Sequence, residues 1–174
     1  MQDPASTAHA GRGASTAPDP SAEWRPALER AYALALDYLG NLRERPVSLR
    51  PEPAEMAAAF DPALPDRGCD PAAAVAEWFA RAEPGIVASP GPRFFGFVNG
   101  GSTPAALAGD WLASAHDKNA GLWLCSPAAE PTEMVVLEWL KDLFGLPAPW
   151  AGALTSGATL ANMVGLAAAR QWAG

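Results

Sequence analysis

The chain has 174 residues, 49% hydrophobic and 18% charged, with a formal net charge of -7 and a pI near 4.7. That length suits about one domain with a moderate core, and the acidic balance excludes the electrostatic footprint of a protein that binds nucleic acid or an anionic membrane. No uninterrupted apolar run reaches about 18 residues, so no helical membrane span is expected.

Cys69 and Cys125 make no disulfide framework, and His9 and His116, the only histidines, stand at no metal-ligand spacing from them. Reduced thiols, no metal and a cytoplasmic location are the expectation. Residues 1–22 are rich in Ala, Ser, Thr, Pro, Gly and Asp without a signal-like apolar stretch, and read as a disordered tail.

From Glu23 to Arg43, Trp24, Leu28, Ala31, Ala35, Leu39 and Leu42 recur at spacings of three and four, which predicts an amphipathic helix. Pro26 fits its first turn and Pro46 follows its end. The apolar stripe suits either an intramolecular partner or a second subunit. Prolines 46, 51, 53, 62, 65 and 71 then confine the chain to an extended arm, with room for a short helix over Ala54–Phe60. Asp70 and Pro71 predict the cap and first position of a helix through Val75, Trp78 and Phe79 to Ala82, which Pro84-Gly85 stops.

Ser89 to Pro104 places Arg93 among aromatics and ends in Asn99-Gly100-Gly101, which predicts a short extended segment closed by a turn with positive φ. Such a turn can line a small-molecule pocket or be a plain core turn. Thr103 and Pro104 predict another capped helix through Leu107, Trp111, Leu112 and Ala115, followed by polar His116-Asp117-Lys118-Asn119. Adjacent His and Asp seldom face each other productively on a helix, so no catalytic role is assigned to them. A helix over Met134–Phe144 follows, with Glu133 at its start, Lys141 in its last turn and Gly145 where a left-handed residue ends it.

Leu154-Thr-Ser-Gly-Ala-Thr159 then runs into an amphipathic helix whose Leu160, Met163, Val164, Ala167 and Ala168 suit packing on a sheet. Ser156, Gly157, Ala158 and Thr159 carry little bulk at a helix start, where unpaired amides and the helix dipole favour an anion. Ser156 or Thr159 also suits the plain role of an N-cap.

Taken together, Pro92-Arg-Phe-Phe-Gly-Phe-Val-Asn-Gly-Gly-Ser-Thr-Pro-Ala-Ala, Asp110-Trp-Leu-Ala, Ser126-Pro-Ala-Ala-Glu-Pro-Thr-Glu-Met-Val-Val-Leu-Glu-Trp-Leu140 with Leu143-Phe-Gly-Leu-Pro147, and Thr155-Ser-Gly-Ala-Thr-Leu-Ala-Asn162 with Ala167-Ala-Ala-Arg170 form an ordered set. They resemble the group II pyridoxal-phosphate-dependent amino-acid decarboxylases, which include the aromatic-L-amino-acid and glutamate decarboxylases. Arg43-Glu-Arg-Pro-Val47 also resembles that family's N-terminal region.

The resemblance implies an α/β, fold-type I, aminotransferase-like architecture in the intact protein. It also implies a homodimer whose N-terminal helical arm wraps the other subunit, with pyridoxal 5'-phosphate as cofactor and an L-amino acid as substrate. By the same resemblance, Gly157, Ala158 and Thr159, with Ser156 beside them, match the positions that hold the cofactor phosphate, and Phe97, Asn99 and Gly100 match a segment bordering the substrate. Gly91 stands where the family usually has His, and Leu160 where many members have Glu.

Family members run to several hundred residues, with the Schiff-base lysine and the cofactor's His and Asp partners downstream of the cradle. Neither Lys118 nor Lys141 falls in that motif, so no catalytic residue is assigned and the chain reads as an N-terminal part, mostly α-helical. Its expected divisions are the tail 1–22, a helical arm and pocket-bordering segment 23–102, and the start of the cofactor-binding domain 103–174. Another fold-type I enzyme, a lyase or aminotransferase, or a non-catalytic truncated remnant, are the alternative readings.

Overall fold

The computed structural model describes residues 19–60 and 64–174, so all but the last four residues of the expected tail lie outside the described residues. The described residues form α-helices α1 (Arg25–Gly40), α2 (Pro53–Ala59), α3 (Pro71–Ala82), α4 (Pro104–His116), α5 (Ala129–Phe144) and α6 (Ala158–Ala173), with a 3₁₀ turn at Glu83–Gly85. There is no strand among them, and the mostly helical expectation holds. The chain divides into two compact units, Met1–Ser102 and Thr103–Gly174.

In the first unit, Ser21 donates its backbone N–H (2.9 Å) and hydroxyl (2.8 Å) to Asp19, which holds that carboxyl below its ordinary value. The turn leads into α1, where Pro26 costs nothing because a first-turn amide has no intrahelical acceptor. Asn41 ends α1 by donating its side-chain amide to the Asp37 carbonyl at 2.8 Å. Asp70 caps α3 through its carboxylate, which accepts from the Ala73 amide at 2.8 Å, and Pro71 takes the first position.

Helices α1 and α3 pack on one another. Ala31, Leu34, Ala35 and Tyr38 of α1 and Val75 and Phe79 of α3, with Ile86 and Val87, line a cleft of about 400 Å³. Of the α1 stripe read from the sequence, Ala31 and Ala35 lie on this face, and the bulkier members do not. Trp24, Leu28 and Leu39 are exposed, and with Tyr32 and Leu36 they form an apolar ridge beside the packed face. Two small alanines and the slim edge of Leu34 allow close approach to α3, so packing turns the helix toward them and leaves the bulkier row outside. The tightest part of the unit flanks the 3₁₀ turn, where Ala82 at the end of α3 and Ala88 and Gly91 beyond the turn are buried.

The second unit holds α4, α5 and α6, none of which buries a residue among the described residues. Thr103 caps α4, accepting from the Ala106 amide at 3.3 Å, and Asp117 ends it in the left-handed region at φ 45. Helix α5 starts at Ala129, earlier than the Met134 expected, because Pro131 falls in a first turn that has no need of its amide. Glu130 is therefore the first-turn acid, and Gly145 ends the helix at φ 64 as expected. No described helix is long and apolar enough to cross a membrane.

Candidate functional site

The candidate residues fall in two groups, one in each unit. In the second unit, the ladder of α6 begins with the Ala161 amide bonded to the Gly157 carbonyl at 3.1 Å. The amides of Ala158, Thr159 and Leu160 thus precede the first intrahelical bond, and no side chain caps this end. Neither Ser156 nor Thr159 acts as the N-cap that their residue types allow.

Gly157 is the cap position with extended backbone, φ 167 and ψ 169, and a Cβ built there would meet nothing within 4 Å. Ser156, Gly157, Ala158 and Thr159 are all exposed. The open helix start, its unsatisfied donors, its positive dipole end and two flanking hydroxyls fit a phosphate. The donor set of the chain therefore suits the phosphate group of the cofactor named by the resemblance, with Ser156, Gly157, Ala158 and Thr159 as the residues that would hold it.

The segment leading to this turn lies along α5. Lys141 donates from Nζ to the carbonyls of Ala148 at 3.0 Å and Trp150 at 3.3 Å, and also pairs with Glu138 at 2.7 Å. Glu133 accepts the Leu154 amide at 2.9 Å, and Thr155 closes the turn by donating its hydroxyl to the Gly157 carbonyl at 3.1 Å. Glu133 had a plain helix-start role in the sequence, and its tie to Leu154 carried no local signal. The ammonium of Lys141 is engaged by these carbonyls and by Glu138.

In the first unit, Phe97, Asn99 and Gly100 lie in one exposed loop. The expected positive-φ turn is there but sits earlier. Phe97 (φ 55) and Val98 (φ 60) adopt the left-handed region, with Gly101 (φ 73) after them, while Asn99 and Gly100 do not. The turn closes where the Asn99 amide donates to the Gly96 carbonyl at 3.3 Å. Consecutive left-handed residues with side chains are disfavoured, most of all at a β-branched one, and such strain persists where the surroundings hold it.

The chain entering this loop is tied down by a contact the sequence did not disclose. Arg93 donates to the Arg45 carbonyl at 2.7 Å, across 48 positions. Arg45 in turn pairs with Glu83 at 3.0 Å and lies over the Tyr38 ring at 4.8 Å, while Tyr38 donates its hydroxyl to the Val87 carbonyl at 3.3 Å. Gly91 enters the loop buried, and a Cβ there would sit 3.0 Å from the Ala88 oxygen and 3.2 Å from that of Leu42. A histidine at position 91 would press on both carbonyls and need the backbone there to give by a few tenths of an ångström. A lone Arg between proline and two phenylalanines was the available signal for the clamp. Among the described residues, no group of three His, Cys, Asp or Glu side chains could hold a metal.

Comparison with known proteins bears on both groups. The family described as the pyridoxal-dependent decarboxylase conserved domain matches residues 53–173, a span containing the loop and the cradle. An aromatic-L-amino-acid decarboxylase of Bacillus atrophaeus is 28% identical over 142 residues, covering 82% of this chain and 30% of the relative. Tryptophan decarboxylase 1 of Oryza sativa subsp. japonica is 28% identical over 138 residues, covering 79% and 27%. A 3,4-dihydroxyphenylacetaldehyde synthase of Aedes aegypti is 26% identical over 117 residues, covering 67% and 22%. The chain thus spans at most about a third of the length of these relatives. It belongs to the pyridoxal-dependent decarboxylase family, whose cofactor is pyridoxal 5'-phosphate.

Proposed function

We propose that the intact protein carrying this chain is a cytoplasmic, homodimeric decarboxylase of an L-amino acid, of fold-type I architecture, and that this chain supplies its phosphate cradle and one border of its substrate pocket. The observation that carries the reading is the family match over residues 53–173, which places the uncapped start of α6 inside the decarboxylase domain. The names of the bacterial and plant relatives favour an aromatic amino acid as substrate. Exposed free thiols at Cys69 and Cys125 suit a reducing compartment.

The chemistry that the bound cofactor supplies is an electron sink for the bond that breaks when the carboxylate leaves as CO₂. The chain's own part is binding and orientation. The amides of Ala158, Thr159 and Leu160, with the Ser156 and Thr159 hydroxyls, grip the phosphate through charged hydrogen bonds worth about 1.5–3 kcal/mol each, and the dipole of α6 adds about 0.3–1 kcal/mol. Phe97 offers an apolar surface and Asn99 an amide to the amino acid, on a loop whose base Arg93 fixes. The division into an arm and pocket-bordering segment, 23–102, and the start of the cofactor domain, 103–174, belongs to the same proposal.

The dimer rests on the α1 ridge. Trp24, Leu28, Tyr32, Leu36 and Leu39 lie exposed in one row, and covering such a row by a second copy removes apolar area from water. Deleting residues 1–50 of the full-length protein converts the dimer to monomer or aggregate by light scattering. An unchanged, active dimer contradicts this part of the proposal.

The reading is tested by incubating the full-length gene product with pyridoxal phosphate and aromatic L-amino acids and measuring CO₂ and amine. Stoichiometric release of both is expected. The synthase named among the relatives supports a second reading, in which an aldehyde replaces the amine as product; aldehyde with little amine would select it. Transamination without CO₂ would point to an aminotransferase, and a product that neither binds cofactor nor releases CO₂ would fit a non-catalytic role.

A further inference from the structure

We propose that Glu133, supported by Lys141, is a positioning residue for the phosphate cradle, acting through the segment Ala148–Leu154; the idea rests on the cradle reading given above. Three contacts join this segment to α5 in register. Lys141 holds the Ala148 and Trp150 carbonyls, a Cβ at Gly152 would lie 3.3 Å from Leu137 Cδ2, and Glu133 accepts the Leu154 amide at 2.9 Å.

Lys141, Leu137 and Glu133 succeed one another at intervals of four, so they share one face of α5, one turn apart. Past Trp150 the segment advances two residues for each such step, and two extended residues cover about 6.6 Å against about 6.0 Å for four helical residues. From Trp150, whose amide closes a turn on the Pro147 carbonyl at 3.0 Å, the chain therefore climbs α5 antiparallel to it at close to extended spacing, from its last turn towards its first. It reaches Glu133 at Leu154, two residues before Ser156. The position of the cradle along α5 is then set by where this climb ends.

Lys141 Nζ is well placed for the role, with its side chain only 14% exposed and its donors shared between two carbonyls and Glu138. Gly152 leaves the strap close to the helix, since any side chain there would press on Leu137. Glu133 is the last hold before the turn, and an amide that bonds to a carboxylate is held more tightly than one bonded to a neutral acceptor.

The test separates position from charge. Glu133→Ala removes the acceptor and the negative charge, whereas Glu133→Gln removes the charge and keeps a carbonyl acceptor of the same reach. If the carboxylate merely acted on the phosphate through its charge, both substitutions would tighten cofactor binding equally. If it positions the cradle, Glu133→Ala weakens pyridoxal phosphate binding in the full-length protein by about tenfold, in line with loss of one charge-assisted hydrogen bond, while Glu133→Gln stays within about threefold of wild type. Lys141→Met, which keeps the stem and loses the donors, gives a smaller loss in the same direction.

Amide hydrogen exchange at Leu154 in the cofactor-free protein is the second readout. It quickens in Glu133→Ala and not in Glu133→Gln, whether or not the protein is a decarboxylase. Equal cofactor affinity in wild type and Glu133→Ala, or equal effects of Ala and Gln, overturns the proposal. Wild-type protein that fails to bind pyridoxal phosphate at all overturns the cradle reading instead, and unchanged Leu154 exchange in Glu133→Ala overturns the strap independently of it.

Discussion

The two units of this chain are built from similar helices and yet are stabilised in different ways. In the first, α1 and α3 share a face, four side-chain bonds reach across tens of residues from Tyr38, Arg45, Arg81 and Arg93, and the buried residues Ala82, Ala88 and Gly91 lie close together. In the second, the side-chain bonds stay within about twenty residues, and α6 exposes Leu160, Met163, Val164 and Leu166 in full view of solvent. Amphipathic pattern alone therefore does not make a core. A helix needs a neighbour whose small residues let it approach, and alanines supply that between α1 and α3. The exposed donors at the start of α6 belong to the unit with the less covered helices, where a ligand adds stability by mass action that the helices do not supply to each other.

Hydrogen exchange on the 174-residue chain should show the largest difference between the two units. Amides of α1 and α3 should exchange slower than those of α6 by orders of magnitude, because local opening there must separate packed faces. Uniform protection across α1, α3 and α6 would show that the two units are not different in this respect.

A smaller effect comes from paired truncations. Phe79→Ala removes a half-buried ring packed against α1 and should lower the stability of the first unit by about 1.5–3 kcal/mol, whereas Met163→Ala on α6, 67% exposed, should change it by less than about 0.5 kcal/mol. Denaturant titration of each variant checks the contrast, and equal losses would contradict it. Smaller still is Asp70→Ala, which leaves the Ala73 amide without its acceptor and should cost about 1 kcal/mol in the same assay.

These cases also mark what a reader of the sequence can see. Asp70-Pro71, Thr103-Pro104 and Gly145 were legible because capping is decided within four residues, and the structure places them at the helix ends they specify. The small-residue start of α6 was legible for the same reason, although its hydroxyls were free to cap and do not. The face of α1 toward α3 was legible only in part: Ala31 and Ala35 belong to the stripe read from the spacing, whereas Leu34 and Tyr38 do not, since α3 selects the face from some forty residues away. The left-handed Phe97-Val98 pair escaped because Asn99-Gly100-Gly101 is the stronger local signal for positive φ, and of those three only Gly101 adopts it. The start of α5 was placed five residues late, since Pro131 is tolerated in its first turn. The hold of Glu133 on Leu154 lies across twenty-one positions, beyond any periodicity.

The account depends most on the open start of α6 as the phosphate site, and one titration tests that directly. Thr159→Glu sets a carboxylate in the first turn, where acidic side chains suit the helix dipole and Glu propagates a helix well, so circular dichroism of the full-length protein should be unchanged. The same carboxylate would repel a phosphate and displace it from the amides of Ala158, Thr159 and Leu160. Following pyridoxal phosphate by its absorbance, the account predicts binding weakened by orders of magnitude in Thr159→Glu with the helix intact. Equal affinity in the two proteins would contradict it and leave the start of α6 as an ordinary uncapped helix end.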